Sequence, residues 1–427
     1  MDTNTNDPEP QTTDQNQNGI DTIIGRNLER FSAFFREFST GTTTTGEGII
    51  IDTKAQQQPE EDKRIFILGQ EFQNAQDADT FISSQVWLSY RCGFDPIVKA
   101  EDGPSPISFF PSIVFNKGIF ANFANLRSLL DKENFNSDAG WGCMIRTSQN
   151  LLATALIRLA TTTADIDKDV IGLFQDKKDA PFSLHNFIRV AGESPLQIKP
   201  GQWFGPNAAS LSIKKLIDEI KDNQNGNIKY PNVFISENSD LYDDELKQLF
   251  KNGTDNSSVL VLLPMRLGIE QVNEYYYESI LQLLRCKYSV GISGGKPSSS
   301  FYFLGYQNQS QLIYFDPHVS QLFEDPINYQ SYHTKNHQYL DINALDPSMM
   351  IGILLKDEQE YRDFKIYCRE NGNKIVYFHP QMTPIQDGTV GQSWEVVDQP
   401  DDDFVNLNLM KSNQDEDEEE DEFVDLG

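Results

Sequence analysis

Apolar residues are spread unevenly along the 427-residue chain. The first 22 residues are rich in Asn, Gln, Thr and Asp and cannot bury enough apolar surface to fold. Ile23 to Phe38, "IIGRNLERFSAFFREF", carries apolar residues at helical spacing and suits a short docking helix. "STGTTTTGEG" and "AQQQPEEDK" are linkers by composition. The first strand signal is "RIFILG" at Arg64. From there to about Val397, helix-like and strand-like stretches succeed one another. "FISSQVWLSYR", from Phe81, is expected to be helical. Cys143 to Ala160 places Ile145, Leu151, Leu152, Ala155, Leu156 and Leu159 on one helical stripe. "GPNAASLSIKKLIDEI" predicts a Pro-Asn turn and then a helix, and "EYYYESILQLLR" another helix. "SVLVLLPMRL" predicts a buried strand. "YSVGISGG", "SFYFLGYQ" and "QLIYFDPHV" predict three successive strands separated by Gly and polar breaks. Early helices followed by clustered strands imply an α+β domain rather than regular βαβ units. No internal repeat is present.

The division expected is therefore 1–63, mostly disordered with one short helix; 64–398, a folded domain; and 399–427, a disordered tail. Charge sharpens the last boundary. Residues 400–427 hold 12 Asp or Glu and one Lys, a net of −11, out of −29 for the whole chain. So negative a protein repels phosphate backbones, and nucleic-acid binding is not expected. The N-terminus lacks the basic and apolar regions of a signal peptide, and the longest apolar run is too short to span a bilayer. The expected location is cytoplasmic. Cys92, Cys143, Cys286 and Cys368 form no C-x-x-C pair, so neither a zinc site nor a disulfide framework is expected.

One cysteine stands apart. In "SDAGWGCMIRTSQNLLATALI", from Ser137, Gly140 and Gly142 precede Cys143 where a helix is expected to begin. A helix N-terminus stabilises a thiolate and offers free N–H groups to an oxyanion. The same pattern also suits an ordinary buried cysteine on an apolar helix. A cysteine nucleophile needs a base, and five histidines are available. His318 lies in "YFDPHVSQ", two residues after Asp316. On a strand the two would face one side, and the carboxylate could orient the ring. A surface Asp-Pro turn beside a solvated histidine fits the same letters. His333 and His337 have i, i+4 spacing, but "HTKNH" lacks the acid of a zinc-protease motif, and no metal is expected.

These two segments together resemble the autophagy cysteine proteases, the autophagins, which are papain-like. "VWLSYRCGFDPI", "GQWFGPNAAS", "VLLPMRLGIEQVNEYYYESI" and "VGISGGKPSSSFYFLGYQ" resemble further blocks of that family, in its order. The resemblance covers about 80–325 well and about 340–398 loosely. It departs in a longer stretch between Phe94 and Asn136 and in Ala139. It implies a papain-like cysteine protease fold with a small inserted auxiliary subdomain and disordered termini. It also implies a protease that cuts after the C-terminal glycine of autophagy ubiquitin-like proteins, in precursor and phosphatidylethanolamine-linked forms.

On this resemblance Cys143 is the nucleophile, His318 the base and acid, and Asp316 its orienting partner. Tyr90 helps line the oxyanion hole, and Trp203 covers the cleft. Gly294, Gly295, Lys296 and Pro297 form a loop that lifts with substrate. No cofactor is implied. The enzyme is expected to be a monomer that touches autophagosomal membranes transiently, through its substrate. In the tail, "DDDFVNL" and "EDEFVDL" place Phe404 before Leu407 and Phe423 before Leu426, behind acidic residues. Both resemble the short motif that binds the same ubiquitin-like proteins by strand addition. Two rival readings are a non-catalytic adaptor acting through this tail and another papain-like hydrolase, such as a deubiquitinase. The intact Cys-Asp-His set disfavours the first, and the Trp203 and Gly294 blocks disfavour the second.

Overall fold

The computed structural model describes residues 64–106, 133–160, 165–221, 228–251 and 257–381. The expected helix at 23–38, both N-terminal linkers and both tail motifs lie outside them. A hairpin of β1 (Ile65–Ile67) and β2 (Gln70–Phe72) opens the described chain, followed by α1 (Ala75–Ser84), β3 (Arg91–Ile97) and β4 (Phe135–Ser137). Four helices come next: α2 (Cys143–Leu159), α3 (Ile166–Gly172), α4 (Leu184–Ala191) and α5 (Pro206–Lys221). After β5 (Asn232–Ile235), β6 (Asp240–Tyr242) and α6 (Asp243–Lys251), the chain turns mainly to strand. These elements are β7 (Val259–Arg266), α7 (Tyr277–Arg285), β8 (Ser289–Lys296), β9 (Ser299–Gln307), β10 (Gln311–Phe315) and β11 (Gln321–Leu322). The last are β12 (Gln338–Asp341), β13 (Ser348–Leu355), α8 (Glu358–Glu370) and β14 (Tyr377–His379).

The main sheet runs β12-β10-β9-β8-β13-β7-β5, and β1 joins β9 beside the end of β8. Its strands are apolar on both faces because helices cover both. In β7, Leu260 and Leu262 face one apolar cluster, and Val259, Val261, Leu263 and Met265 face the other. Residues of α2, α4 and α5 fill the first cluster, and residues of α7 and α8 fill the second. This is the expected mixture of helix and sheet. No helix of the described residues is long and apolar enough to cross a membrane.

Three local expectations are corrected. The helix expected through "FISSQVWLSYR" ends at Ser84. Beyond it, the backbone N–H groups of Trp87, Leu88 and Tyr90 donate to Tyr332 O, Asn150 Oδ1 and Pro317 O. Distant segments thus take the hydrogen bonds a helix would have used. In "GPNAAS", Pro206 is the first residue of α5 rather than part of a turn before it. Proline suits that position, where its missing N–H costs nothing. Helix α2 exceeds its predicted stripe: every residue from Cys143 to Leu156 is buried. The sheet strands β8 and β9 pack against it, as do α3, α5 and α4. Its polar side chains must therefore find partners inside the protein.

Candidate active site

The site is built around the first turn of α2. Gly140 has φ +87, a left-handed conformation that favours glycine. Gly142 caps the helix, and a Cβ there would lie 2.5 Å from Asp138 Oδ2. Only glycine lets the chain pass so close to that carboxylate. Asp138 in turn fixes the loop. Its carbonyl accepts from Gly142 N at 2.8 Å, and its Oδ1 accepts from Arg91 N at 2.7 Å. Cys143 is thereby placed as the first residue of a 17-residue helix. The first N–H groups of such a helix have no partner within it.

Asp138 is held from below by α2 itself. Arg146 Nε donates to Asp138 Oδ2 at 2.7 Å, and its two terminal nitrogens donate to both oxygens of Asp176, at 3.1 and 2.9 Å. All three side chains are at most 1% exposed. Burial works against the Arg146 charge, but the two carboxylates outweigh it and raise its pKa. The guanidinium stays charged.

His318 reaches the thiol from the end of β10. The strand stops at Phe315, so the expected strand geometry of Asp316 and His318 is corrected: Pro317 and His318 form a turn. Asp316 Oδ1 accepts twice, from His318 N at 2.9 Å and from His318 Nδ1 at 2.5 Å. Proline disfavours further pairing, and the aspartate closes an Asx-type turn on its own histidine. The surrounding chain pins this turn. Tyr90 N donates to Pro317 O at 2.8 Å, and Trp87 Nε1 donates to Asp316 O at 2.9 Å.

Burial alone would lower the His318 pKa. Hydrogen bonds to Asp316 and to the Cys143 thiol, with the charges of both, raise it instead to about 9. The ring is therefore an imidazolium at neutral pH. Tyr90 stands beside the same pair. Burial, then the charges of Cys143 and Asp138, push its phenol well above its ordinary range, so it remains a hydrogen-bond donor. The other three cysteines are also buried. Burial raises Cys92 to about 11 and Cys286 to about 12, and it raises Cys368 as well. A thiol so poorly ionised is a weak nucleophile. His333 and His337 do not converge on one point: they bond the carbonyl of Gln85 and the hydroxyl of Tyr339.

Trp203 and the 294–297 segment come together at one cleft. With Met144, Pro206 and Arg266 they line a cleft of about 400 Å³. Gly294, Gly295 and Lys296 are the last residues of β8, and Pro297 opens the two-residue turn into β9. The segment is thus a hairpin tip rather than an irregular loop. A Cβ on Gly295 would fall 1.9 Å from the carbonyl of Ser299 across that turn. Cys143, the residue before Met144, is itself wholly buried.

Sequence reasoning missed Trp87, Asp138, Arg146 and Asp176. An arginine within an apolar helix, three residues after Cys143, was a usable signal, because a buried charge demands a partner. Asp176 gives no such sign.

Residues 75–367 match the family model for the peptidase C54 catalytic domain. The chain is 53% identical over 428 residues to "Cysteine protease ATG4" of Candida albicans, a match spanning 97% of this chain and 94% of that protein. It is 47% identical over 380 residues to "Probable cysteine protease ATG4" of Scheffersomyces stipitis, spanning 87% of this chain and 71% of that protein. With "Probable cysteine protease ATG4" of Kluyveromyces lactis it shares 40% identity over 311 residues, 70% of this chain and 66% of that protein.

Proposed function

The chain belongs to the peptidase C54 family of cysteine proteases, and from that premise we propose that it cleaves after the C-terminal glycine of autophagy ubiquitin-like proteins. One observation carries the reading: His318 joins the Asp316 carboxylate to the Cys143 thiol at the first residue of a helix. The substrate tail threads beneath Trp203 and the hairpin tip, where a narrow cover leaves room for glycine and little else. The Cys143 thiolate attacks the glycine carbonyl carbon. The oxyanion takes hydrogen bonds from the Cys143 N–H and the Tyr90 hydroxyl. Because Asp316 occupies Nδ1, Nε2 of His318 faces the reaction. It protonates the departing amine, leaving a thioester on Cys143. Water then attacks, Nε2 takes its proton, and the glycine carboxylate is released with the thiolate restored.

Two leaving groups suit one site, because a peptide extension and phosphatidylethanolamine both depart as amines. The enzyme thus matures the precursor and also releases the lipid-linked form. It acts as a cytoplasmic monomer and meets the membrane only through its substrate. The motifs at Phe404–Leu407 and Phe423–Leu426 supply further grip on the same partner.

The test uses an autophagy ubiquitin-like protein bearing a C-terminal extension, and the same protein conjugated to phosphatidylethanolamine on vesicles. Wild type is expected to cut both at the glycine. Cys143→Ala is expected to bind both and cut neither. Removal of residues 400–427 is expected to raise KM and leave kcat in place. Cleavage by Cys143→Ala, or no cleavage by wild type, would overturn the reading. An unchanged KM would remove the tail from it.

A further inference from the structure

Two aromatic rings flank the His318 imidazole. The Tyr90 ring centroid lies 5.3 Å away at 88°, and that of Phe301 lies 5.5 Å away at 74°. Phe301 is held firmly: it is 7% exposed, and its ring lies 4.5 Å from that of Tyr314. It also sits at the root of the hairpin that covers the cleft, two residues after Ser299 begins β9. The residue before it reaches the nucleophile's helix. Ser300 Oγ lies 2.7 Å from Thr147 Oγ1, one turn beyond Cys143. Successive strand residues point to opposite faces, so one dipeptide touches α2 with one side chain and the base with the next.

Resting on Cys143 and His318 as the reacting pair, we propose that Phe301 is a positioning residue, which fixes the plane of the His318 ring and couples it to the β8–β9 hairpin. The torsion that turns an imidazole is broad and soft. Asp316 fixes the ring at Nδ1 alone. A perpendicular ring contact opposes rotation about that point and keeps Nε2 on the thiol. Titratable groups face His318 from three elements: Asp316 from its own turn, Cys143 from α2 and Tyr90 from the segment before β3. Phe301, from β9, carries no charge. Phe301→Leu therefore preserves an apolar side chain and every charge, and removes only the flat ring.

The test is the rate of Cys143 alkylation by iodoacetamide across pH, which requires no assumption about the substrate. Wild type, Phe301→Leu, Phe301→Tyr and His318→Asn are compared. At about pH 6 an ordinary thiol is almost wholly protonated and reacts appreciably only with help from a cationic partner, whereas at about pH 10 it ionises unaided. Phe301→Leu is expected to react about tenfold more slowly at the lower pH, the scale of one lost ring contact. It is expected to match wild type at the higher pH, and Phe301→Tyr is expected to restore the rate. A merely structural defect would slow both ends and would not be rescued, which would overturn the proposal. So would a wild-type profile for Phe301→Leu alongside an altered one for His318→Asn. If His318→Asn itself leaves the profile unchanged, the assignment of the base fails first, and this inference falls with it.

Discussion

Asp316 does two jobs with one oxygen, closing the turn and holding the ring. Its charge is one of the contributions that outweigh burial and lift His318 from 6.5 to about 9. The sign follows from the direction of that shift. Stability from the charged ring is fully present below about pH 6.5 and is lost as pH rises through about 9. Any activity that needs the charged His318 ring should fail on the same alkaline side. Asp316→Asn removes the charge and keeps the shape. It is expected to move the alkaline limb of kcat/KM down toward neutral pH and to lower the rate at pH 8 well below wild type. A limb left near 9 would show that Asp316 does not hold the proton on His318. The letters D-P-H were enough to suggest the pairing. They could not distinguish strand alternation from a turn, because both bring residues i and i+2 together.

Helix α2 begins with Cys143, and its burial on all sides from Cys143 to Leu156 makes its polar residues structural. Arg146 is the clearest case, with two buried carboxylates depending on it. Arg146→Met fills similar space but leaves Asp138 and Asp176 uncompensated. Breaking a buried pair in this way costs about 3–5 kcal/mol. Chemical denaturation is expected to show that loss, and adding Asp138→Asn and Asp176→Asn is expected to recover part of it. A loss below about 1 kcal/mol would mean that water or a rearranged loop replaces the guanidinium. The extent of α2 was legible from its apolar stripe. The ion cluster was not, since Asp176 comes from a loop 30 residues away from Arg146. The end of α1 was misread for a related reason. Val86 to Tyr90 look as apolar as a helix, but their backbone partners lie on distant segments.

Across the whole molecule, the sheet brings Cys143 to His318. Strands β8 and β9 pack against α2, and β10, next to β9, ends where the Asp316–His318 turn begins. The continuous apolar runs revealed buried strands. Their order, with β13 inserted between β7 and β8, could not be read from any local pattern. The cleft beside Met144 also belongs to this scale, since Trp203 precedes α5 while the hairpin tip joins β8 to β9. Whether Cys143 is the reacting thiol is measured most directly by covalent capture. An autophagy ubiquitin-like protein is prepared with an electrophile in place of its C-terminal glycine carboxylate, and the adduct is mapped by mass spectrometry. One adduct is expected, on Cys143, and it is lost in His318→Ala. An adduct on Cys92, Cys286 or Cys368, or one on Cys143 that forms equally well without His318, would contradict it.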